Sequence, residues 1–512
     1  MESKIRILSA ELQEHYQSHG VSGLESYIKK QPQHMNMSQE DEPSISNSVS
    51  TSTSTRFIRL NPRYDTNQTL NLLRKEFKNG EEAIEVPWLS KDLGFYAIPD
   101  SFALSRSETF NIGRIYGMDV SSGAAVAVLL LEEHDVNRSR LRGEVFSGEE
   151  EKDLSTRTCI NGEDEMRVLD LCCAPGLKTC AIADVLETTH MGKAYIVGVD
   201  VSEKRLHLCK NIIKKYHIDH ETCGGAGMPS TNSASTVEAS QDGNTKIERS
   251  NAADCLPDQK IIIQLFNADG TTFGTSKDSS SLIFDSRVAI EQQTRAGKRK
   301  RMNKSAKARE SKRLKTVADD FFTNVNDGGV SNLADGSIAI EGEEAEKSPS
   351  ITIPLFDRVL VDAECSTDGA VRHLQHKYRS SQDQLATNSK LTNAQQLEDL
   401  VALQKKLIMS GFGLLKPGGI MVYSTCSLAK EQNEDVVSWL LSEFQESAEL
   451  VPVSFEGSAV KRACGDPSLF PPKRNLEAIT DGKIRGTVRF HPSVNNDLFG
   501  GGFFLAKITK KR

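Results

Sequence analysis

The chain has 512 residues, of which 38% are hydrophobic and 26% are charged. This length and apolar content exclude a wholly disordered protein and suffice for two globular domains. No run of roughly 18 or more uncharged apolar residues occurs. The first residues, MESKIRILSAELQEHYQ, resemble neither a signal peptide nor a transit peptide. We therefore expect a soluble intracellular protein.

The ten cysteines are scattered without a CxxC pair, which excludes a zinc ribbon and a small disulfide framework. The formal net charge of −7 excludes a uniformly basic surface. Basic charge is nevertheless concentrated in residues 295–315, which hold eleven Lys and Arg and one Glu. Such a block is typical of a nuclear address, an RNA tether or a solvated insertion without a specific role. We favour nuclear entry.

Composition divides the chain into an extension, a small domain, a linker and a large domain. The extension, residues 1–55, ends in the Ser/Thr-rich linker 36–55, which is too polar to bury a core. Residues 56–130 contain a strand, RFIRLN, and an amphipathic helix, TLNLLRKEF, and so predict a small α/β domain with its connector. Residues 131–165 are a second linker, and residues 166–512 form the large domain.

In the large domain, short β-branched or apolar runs alternate with helical stretches. These runs are MRVLDL, AYIVGVD, IIIQLFNAD, FDRVLVD and GIMVYST. The pattern predicts a doubly wound, Rossmann-like parallel sheet whose ligands bind at the carboxyl ends of the strands. Residues 221–258 and 274–350 are polar and interrupt it, so we expect both to be disordered surface insertions.

A tight turn in LDLCCAPGLKT (169–179) joins the first strand of this sheet to a helix. Backbone N–H groups at a helix N-terminus suit an anionic group, including the carboxylate of S-adenosylmethionine, although many such turns are only structural. Asp200 and Asp269 end the next two strands, where a carboxylate can bind ribose hydroxyls or the adenine edge. Each Asp could equally be a strand-end or helix-cap residue.

Two cysteines follow the fourth and fifth predicted strands. Cys365 lies in FDRVLVDAECSTDG (356–369) and Cys426 in GGIMVYSTCSL (418–428). Most cysteines are small core residues, but both of these stand among polar residues at the edge where the cofactor turn lies. A thiol beside a methyl donor suits methylation of cytosine at C5, because thiolate addition to C6 makes C5 nucleophilic.

Residues 166–508 resemble the Sun/Fmu family of RNA 5-methylcytosine methyltransferases, which use S-adenosylmethionine. The segments that carry the resemblance are LDLCCAPGLKT, FNADG, VDAECSTDG, YSTCSLAKEQNEDVV and RFHPSVNNDLFGGGFFLAK. The resemblance implies that Cys426 is the nucleophile and that Cys365 assists release of the methylated base. It implies that Asp362 binds and polarises the cytosine ring and that Lys178 approaches the substrate. The implied cofactor residues are Cys172, Cys173, Ala174, Pro175, Gly176, Leu177, Lys178, Asp200, Arg205, Asp269 and Asp362.

Glu364 departs from the family pattern, which usually has proline before the cysteine of the fourth strand. A carboxylate there could raise the pKa of Cys365 and disfavour the thiolate, or it could accept a proton. The sequence leaves both alternatives open. The segment around Cys426 is intact, so the departure bears on product release more than on nucleophilic attack.

The resemblance implies an RNA partner, either tRNA or rRNA, and a target cytosine that is single-stranded or flipped out of its helix. Arg56, Arg59 and Arg63 lie in the predicted RNA-binding domain and are candidate phosphate contacts, or solvated arginines. We expect a monomer that binds neither a metal nor a membrane. We expect it in the nucleus or nucleolus, and the cytoplasm is an alternative location. The alternative function is a noncatalytic RNA-binding or assembly protein that keeps the fold.

Overall fold

A computed structural model of the chain describes two domains and part of the insertions. The described residues are 55–78, 80–86, 89, 93–99, 101–131, 165–190, 192–218, 259–275, 281–296, 304–323, 353–370, 394–453, 486–490 and 502–512. The N-terminal extension, the linker after residue 131 and the insertion 221–258 lie outside them. Among the described helices, none combines the length and the apolar content needed to span a bilayer.

The N-terminal domain is a four-stranded antiparallel sheet in the order β2-β3-β1-β4, with helices beside it. Its elements are β1 (Thr55–Leu60), α1 (Thr66–Glu76), β2 (Ile84–Glu85), β3 (Phe95–Pro99), α2 (Glu108–Asn111), β4 (Ile115–Tyr116) and α3 (Val120–Leu130). Asp65 caps α1 by accepting a hydrogen bond from the backbone of Gln68. These elements form a small α/β unit within residues 55–130.

The large domain alternates strands with helices. Its strands are β5 (Met166–Leu171), β6 (Ala194–Asp200), β7 (Ile261–Asn267), β8 (Ser281–Asp285), β9 (Phe356–Asp362), β10 (Leu415–Thr425), β11 (Ala448–Val451), β12 (Val488–Phe490) and β13 (Phe503–Lys510). Its helices are α4 (Leu177–Thr189), α5 (Glu203–Ile213), α6 (Ser286–Ala296), α7 (Lys304–Thr323), α8 (Ala394–Gly413) and α9 (Glu434–Glu443).

These strands form one sheet in the order β11-β13-β10-β9-β5-β6-β7-β8, with β12 paired to β13. The five central strands, β10, β9, β5, β6 and β7, are parallel. Strand β8 and the strands beyond β10 are antiparallel to their neighbours. The doubly wound parallel sheet predicted from the sequence is confirmed, and the antiparallel edge strands extend it.

Helix α3 joins the two domains and is buried on nearly all sides. Ten of its 11 residues are buried, and it packs in the same hydrophobic core as Phe57 and Phe95 of the small domain and Ala181 of α4. A Cβ on Gly123 would lie 2.4 Å from the ring of Phe95, so only glycine permits this approach. The two domains therefore share a core.

A buried carboxylate also ties the domains together. Asp184 in α4 accepts hydrogen bonds from Arg59 and Arg63 of the small domain and from the Tyr116 hydroxyl, which is 2.9 Å away. Burial alone would raise the pKa of Asp184, but Arg59, His217 and Arg63 outweigh it and lower that pKa. The structure therefore assigns Arg59 and Arg63 to this junction.

The sequence offers Arg59 and Arg63 as phosphate contacts or as solvated arginines, and both predictions are wrong, because an acidic side chain of the large domain pairs with both guanidinium groups. Arg59 is 1% exposed. The partly buried Arg56 donates a hydrogen bond to the backbone oxygen of Phe102 at 3.3 Å. The sequence could not reveal this arrangement, since Asp184 is more than 120 residues away in the chain.

The expectation that residues 274–350 are disordered is also wrong for most of the part that the structure describes. This segment contains β8, α6 and α7. Leu282 and Phe284 of β8 and Phe321 of α7 are buried against the sheet. These apolar residues are widely spaced in a polar segment, so its average composition conceals them. Residues 324–350 lie outside the described part.

We expect Asp184→Asn to lower the free energy of unfolding by about 3–5 kcal/mol, because it leaves the buried Arg59 without a counter-charge and leaves Arg63 only the more exposed Glu187. Chemical denaturation of the full chain measures this loss. The matched control is Glu187→Gln, which removes the more exposed carboxylate that pairs with Arg63. Its cost should stay below about 1 kcal/mol. Equal losses in the two variants would contradict the assignment of Asp184 as the junction.

Candidate active site

The turn between β5 and α4 adopts an unusual backbone conformation. Cys172 has a φ of 69° and Gly176, which precedes the first residue of α4, has a φ of 101°. A Cβ on Gly176 would lie 3.2 Å from the Cα of Cys209, so both the backbone angle and the space favour glycine. The turn therefore places residues 172–178 against the carboxyl ends of β5 and β6.

Asp200 and Arg205 hold this turn from the side of β6. The carboxylate of Asp200 accepts hydrogen bonds from the backbone N–H groups of Ala174 at 3.3 Å and Ser202 at 2.9 Å. Arg205 lies 3.6 Å from the same carboxylate and donates a hydrogen bond to the Ala174 oxygen at 2.6 Å. Both predicted cofactor residues thus contact the turn itself.

A cavity of about 140 Å³ lies beside the turn. Both domains line it, with residues Gly117, Met118, Asp119, Ser122, Asp170, Cys172, Cys173, Ala174, Pro175, Leu177, Lys178 and Asp362. The lining contains three carboxyl groups and one ammonium group. This excess of acidic groups suits a ligand with positive charge.

Asp170 is the most deeply buried carboxyl group in this lining. Its Oδ2 accepts a hydrogen bond from the Thr179 hydroxyl at 2.6 Å. Its Oδ1 is buried and has no hydrogen-bond partner in the described part of the chain. Burial raises the pKa of Asp170 to about 7, although the Thr179 hydrogen bond lowers it. The unpaired oxygen is available to a ligand in the cavity.

Asp362, at the end of β9, lies between two polar side chains. Its Oδ2 is 2.7 Å from the Nζ of Lys178, and its Oδ1 accepts a hydrogen bond from Ser424 at 2.7 Å. Burial lowers the pKa of Lys178, but the nearby Asp362 outweighs this effect and raises it. Lys178 is therefore charged at neutral pH and fixes the orientation of the carboxylate.

The two predicted thiols lie together at this edge of the sheet. The Sγ atoms of Cys365 and Cys426 are 3.1 Å apart. This hydrogen bond, burial and the charge of Asp362 raise the pKa of Cys426 well above its ordinary value. In the absence of substrate Cys426 is therefore protonated at neutral pH. Cys365 and Asp362 are the neighbouring side chains that favour this protonated form.

A buried hydrogen-bond network joins the loops that carry the two cysteines. Ser366, next to Cys365, bonds to Asp368 and lies 2.8 Å from the hydroxyl of Ser427, next to Cys426. Gln432 donates to Ser366 at 2.9 Å and accepts from its backbone N–H at 3.0 Å. The network therefore holds the two loops at a fixed separation.

The structure brings most of the predicted site residues together, with one exception. Asp269 is exposed, and its carboxylate accepts hydrogen bonds from the backbone and hydroxyl of Thr271. Within the described part of the chain, its side-chain hydrogen bonds reach no other predicted site residue. Glu364 is also exposed, although it directly precedes the buried Cys365. The roles of all these residues stay predictions.

Several residues of the site were not found from the sequence. Asp170 stands inside LDLCC and ends a strand as Asp200 does, so its acidic side chain was a usable signal. Gln432 follows Cys426 closely in KEQNED. Asp119 and Ser122 had no comparable signal, because they reach the cavity only when the small domain docks.

Comparison of the sequence with known protein families identifies the family of this chain. The family model described as 16S rRNA methyltransferase RsmB/F matches residues 157–238 and 301–509, more than half of the chain. The chain belongs to the RsmB/F family. This finding confirms the Sun/Fmu membership expected from the sequence.

Relatives of this RsmB/F chain match it over a limited length. Ribosomal RNA small subunit methyltransferase F of Klebsiella pneumoniae is 37% identical over 140 residues, which is 27% of each chain. The protein of that name from Escherichia coli is 31% identical over 175 residues, 33% of this chain and 32% of the relative. The matches thus span about a quarter to a third of these relatives.

Among solved structures, a methyltransferase homologue from Pyrococcus horikoshii is 17% identical, with a TM-score of 0.44. That alignment covers 99% of this chain and 100% of the other. A likeness of this size adds nothing to the family assignment, which depends on the family model.

The raised pKa of Asp170 predicts how the stability of this RsmB/F chain depends on pH. Between the unfolded pKa of 3.8 and the folded pKa of about 7, only the folded state holds the proton. The free energy of unfolding should therefore fall as pH rises through this window, by at most about 4 kcal/mol from this group. Denaturation at a series of pH values measures the fall.

Asp170→Asn should remove most of that fall, because an amide does not titrate and still accepts the Thr179 hydrogen bond. The exposed Asp319→Asn is the control and should keep the wild-type pH profile. If the profile of Asp170→Asn matches that of the wild type, the carboxyl group does not titrate near pH 7 as described.

Proposed function

We propose that the chain methylates C5 of cytosine in RNA, with S-adenosylmethionine as methyl donor and Cys426 as nucleophile. The observation that carries the proposal is the pair of thiols, 3.1 Å apart, beside the Lys178–Asp362 ion pair at the edge of the sheet. Methylation of a nitrogen or oxygen atom needs neither thiol. Methylation of an electron-poor ring carbon needs a nucleophile and a means of releasing it.

The cavity supports S-adenosylmethionine as the donor, because its sulfonium and ammonium groups are cationic and the cavity lining is acidic. Residues Cys172 to Lys178 would hold the methionine part, and Asp170 offers a buried unpaired oxygen there. Asp200 and Arg205 would lie beside the ribose of the cofactor. Asp269 is exposed just after the end of β7, and from there it would contact the adenine at the solvent side of the site. When bound, the cofactor supplies an electrophilic methyl group.

In the reaction that we assign, the Cys426 sulfur forms a bond to C6 of cytosine, and the electron pair of the C5–C6 bond moves to C5. Because Cys426 is protonated in the free protein, its proton must leave during attack. We assign Asp362 to pass this proton to N3 of the ring and to return it to the Cys426 sulfur when the product leaves, since its charge already acts on the thiol. Lys178 keeps Asp362 oriented through their ion pair.

Carbon C5 would then accept the methyl group that the donor, held by residues Cys172 to Lys178, would supply. A base must next remove the C5 proton, so that its electron pair reforms the double bond and expels the Cys426 sulfur. We assign release to Cys365, the nearest thiol to Cys426. Glu364 is exposed, which makes it accessible to water and substrate as a further proton acceptor.

We propose a structured RNA as the substrate and favour rRNA over tRNA because of the names of the matched relatives. The target base must be single-stranded or flipped to reach the site. We further propose a nuclear or nucleolar location, from the basic run KRKR at 298–301, which lies outside the described residues.

Bisulfite sequencing of rRNA and tRNA tests the activity. Cells that carry Cys426→Ala in place of the wild-type protein should lose methylation at the target cytosine, because no other side chain replaces the nucleophile. The control is Cys180→Ala, which removes a buried thiol of α4 outside the site and should leave methylation intact. Unchanged methylation at every cytosine in the Cys426 variant favours the noncatalytic alternative.

Cys365→Ala should trap a covalent protein–RNA adduct, because Cys426 can still add to C6 but release is slowed. Denaturing gel electrophoresis with cognate RNA and S-adenosylmethionine detects the adduct as a band of reduced mobility. The double variant Cys365→Ala/Cys426→Ala is the control and should give no band. A Cys365→Ala protein that turns over without an adduct argues against the release role.

A further inference from the structure

Helix α7 carries the second half of the basic block and is amphipathic. One of its faces is buried through Leu314, Val317, Phe321 and Phe322. Phe321 packs on Phe266 of β7 with ring centroids 5.0 Å apart. The opposite face is exposed. The helix is therefore a built part of the large domain, with its apolar side against the sheet.

Two ion pairs fix the rotation of α7 about its own axis. Arg313 pairs with Glu291 of α6, and Glu310 lies 3.1 Å from Lys210 of α5. Both pairs lie on the border of the buried face and are largely shielded from water. These contacts use the single Glu and one Arg of the basic block, and they hold the remaining cations in a defined direction.

The outward face holds five exposed cations, Lys304, Lys307, Arg309, Lys312 and Lys315. At about 100° per residue they cover an arc of about 200°, and Leu314, Val317 and Phe321 lie in the remaining arc. Within the part of the chain that the structure describes, none of the five forms an ion pair. Five like charges on about three turns of helix repel one another, and a polyanion would relieve that repulsion.

The helix is connected to the candidate active site. Lys210, which pairs with Glu310, lies on α5 about 7.5 Å along the helix axis from Arg205. Arg205 in turn donates to the Ala174 oxygen in the cofactor turn. Phe266 stands near the carboxyl end of β7, where Asn267 aligns with Asp200. Helix α7 contacts Phe266 near its own C-terminus, and its 20 residues make it about 30 Å long.

We propose that the basic face of α7 binds the phosphate backbone of the substrate RNA outside the target nucleotide. This proposal rests on the proposed function, because it takes RNA as the substrate. The face presents five cations and no aromatic side chain, a composition that suits phosphates and not bases. A membrane-surface helix would expose its apolar side, whereas that of α7 is packed on the sheet.

The test is the salt dependence of RNA binding by the full chain. Each phosphate contact contributes about 0.7–0.9 to the slope of log affinity against log salt concentration. The triple variant Lys307→Gln/Lys312→Gln/Lys315→Gln should reduce that slope by about 2–3, since glutamine suits a helix without carrying charge. Fluorescence anisotropy with a labelled RNA hairpin over a series of KCl concentrations measures the slope.

The matched control is Lys406→Gln/Lys511→Gln/Arg512→Gln, which removes three exposed cations from α8 and the chain end after β13. Its slope should equal that of the wild type. Thermal unfolding and S-adenosylmethionine binding should be unchanged in both variants, which shows that the fold and the cofactor site are intact.

An equal slope for the α7 variant and the control would overturn the proposal. So would an unchanged slope combined with lost binding to a nuclear import carrier, because α7 would then bind a protein. Neither result affects the test of methylation, because bisulfite sequencing of the Cys426→Ala cells does not depend on the salt slope of RNA binding. Failure of the proposed function and failure of the α7 proposal are therefore distinguishable.

Discussion

The parallel pairing of β9 with β5 on one side and β10 on the other is the constraint on which the candidate site depends. The register aligns Asp362 with Ser424, so the two side chains leave neighbouring strands at the same level and form a hydrogen bond. Cys365 follows Asp362 by three residues and Cys426 follows Ser424 by two. The two thiols meet because both chains leave the same edge of the sheet.

The pKa values of two buried carboxyl groups of the large domain are shifted in opposite directions. Asp184 is surrounded by cations and a hydroxyl group, so its pKa is lowered and its charge is kept. Asp170 has only the Thr179 hydroxyl, so burial dominates and its pKa rises to about 7. A fully paired buried carboxylate stabilises structure, whereas one with an unpaired oxygen in a cavity is more typical of a ligand site.

Much of the fold could be predicted because buried parallel strands have a strong local pattern. Strands such as AYIVGVD and FDRVLVD are short, mainly apolar runs that end at an acidic residue, and each was placed correctly. The turn between β5 and α4 was placed correctly for the same reason. Where chemistry demands a rare combination, such as two cysteines after neighbouring strands, the sequence also predicts which side chains meet.

The failures concern side chains whose environment is set by distant residues. Arg59 was predicted to contact phosphate or to be solvated, but it is buried against Asp184. The segment that forms α7 has a polar average composition, and its apolar face is visible only when Leu314, Val317 and Phe321 are read at helical spacing. Sequence composition reports the average of a segment, whereas packing depends on which few residues share a face.

Helix α3 has a consequence for how the protein unfolds. Its first turn contributes Ser122 to the wall of the cavity, and the rest of the helix is enclosed by apolar side chains of both domains. Separating the domains would bring this apolar helix into water. The small and large domains are therefore distinct in topology, but we expect them to unfold as one cooperative unit, because the cavity beside the turn between β5 and α4 has a wall that depends on their shared core.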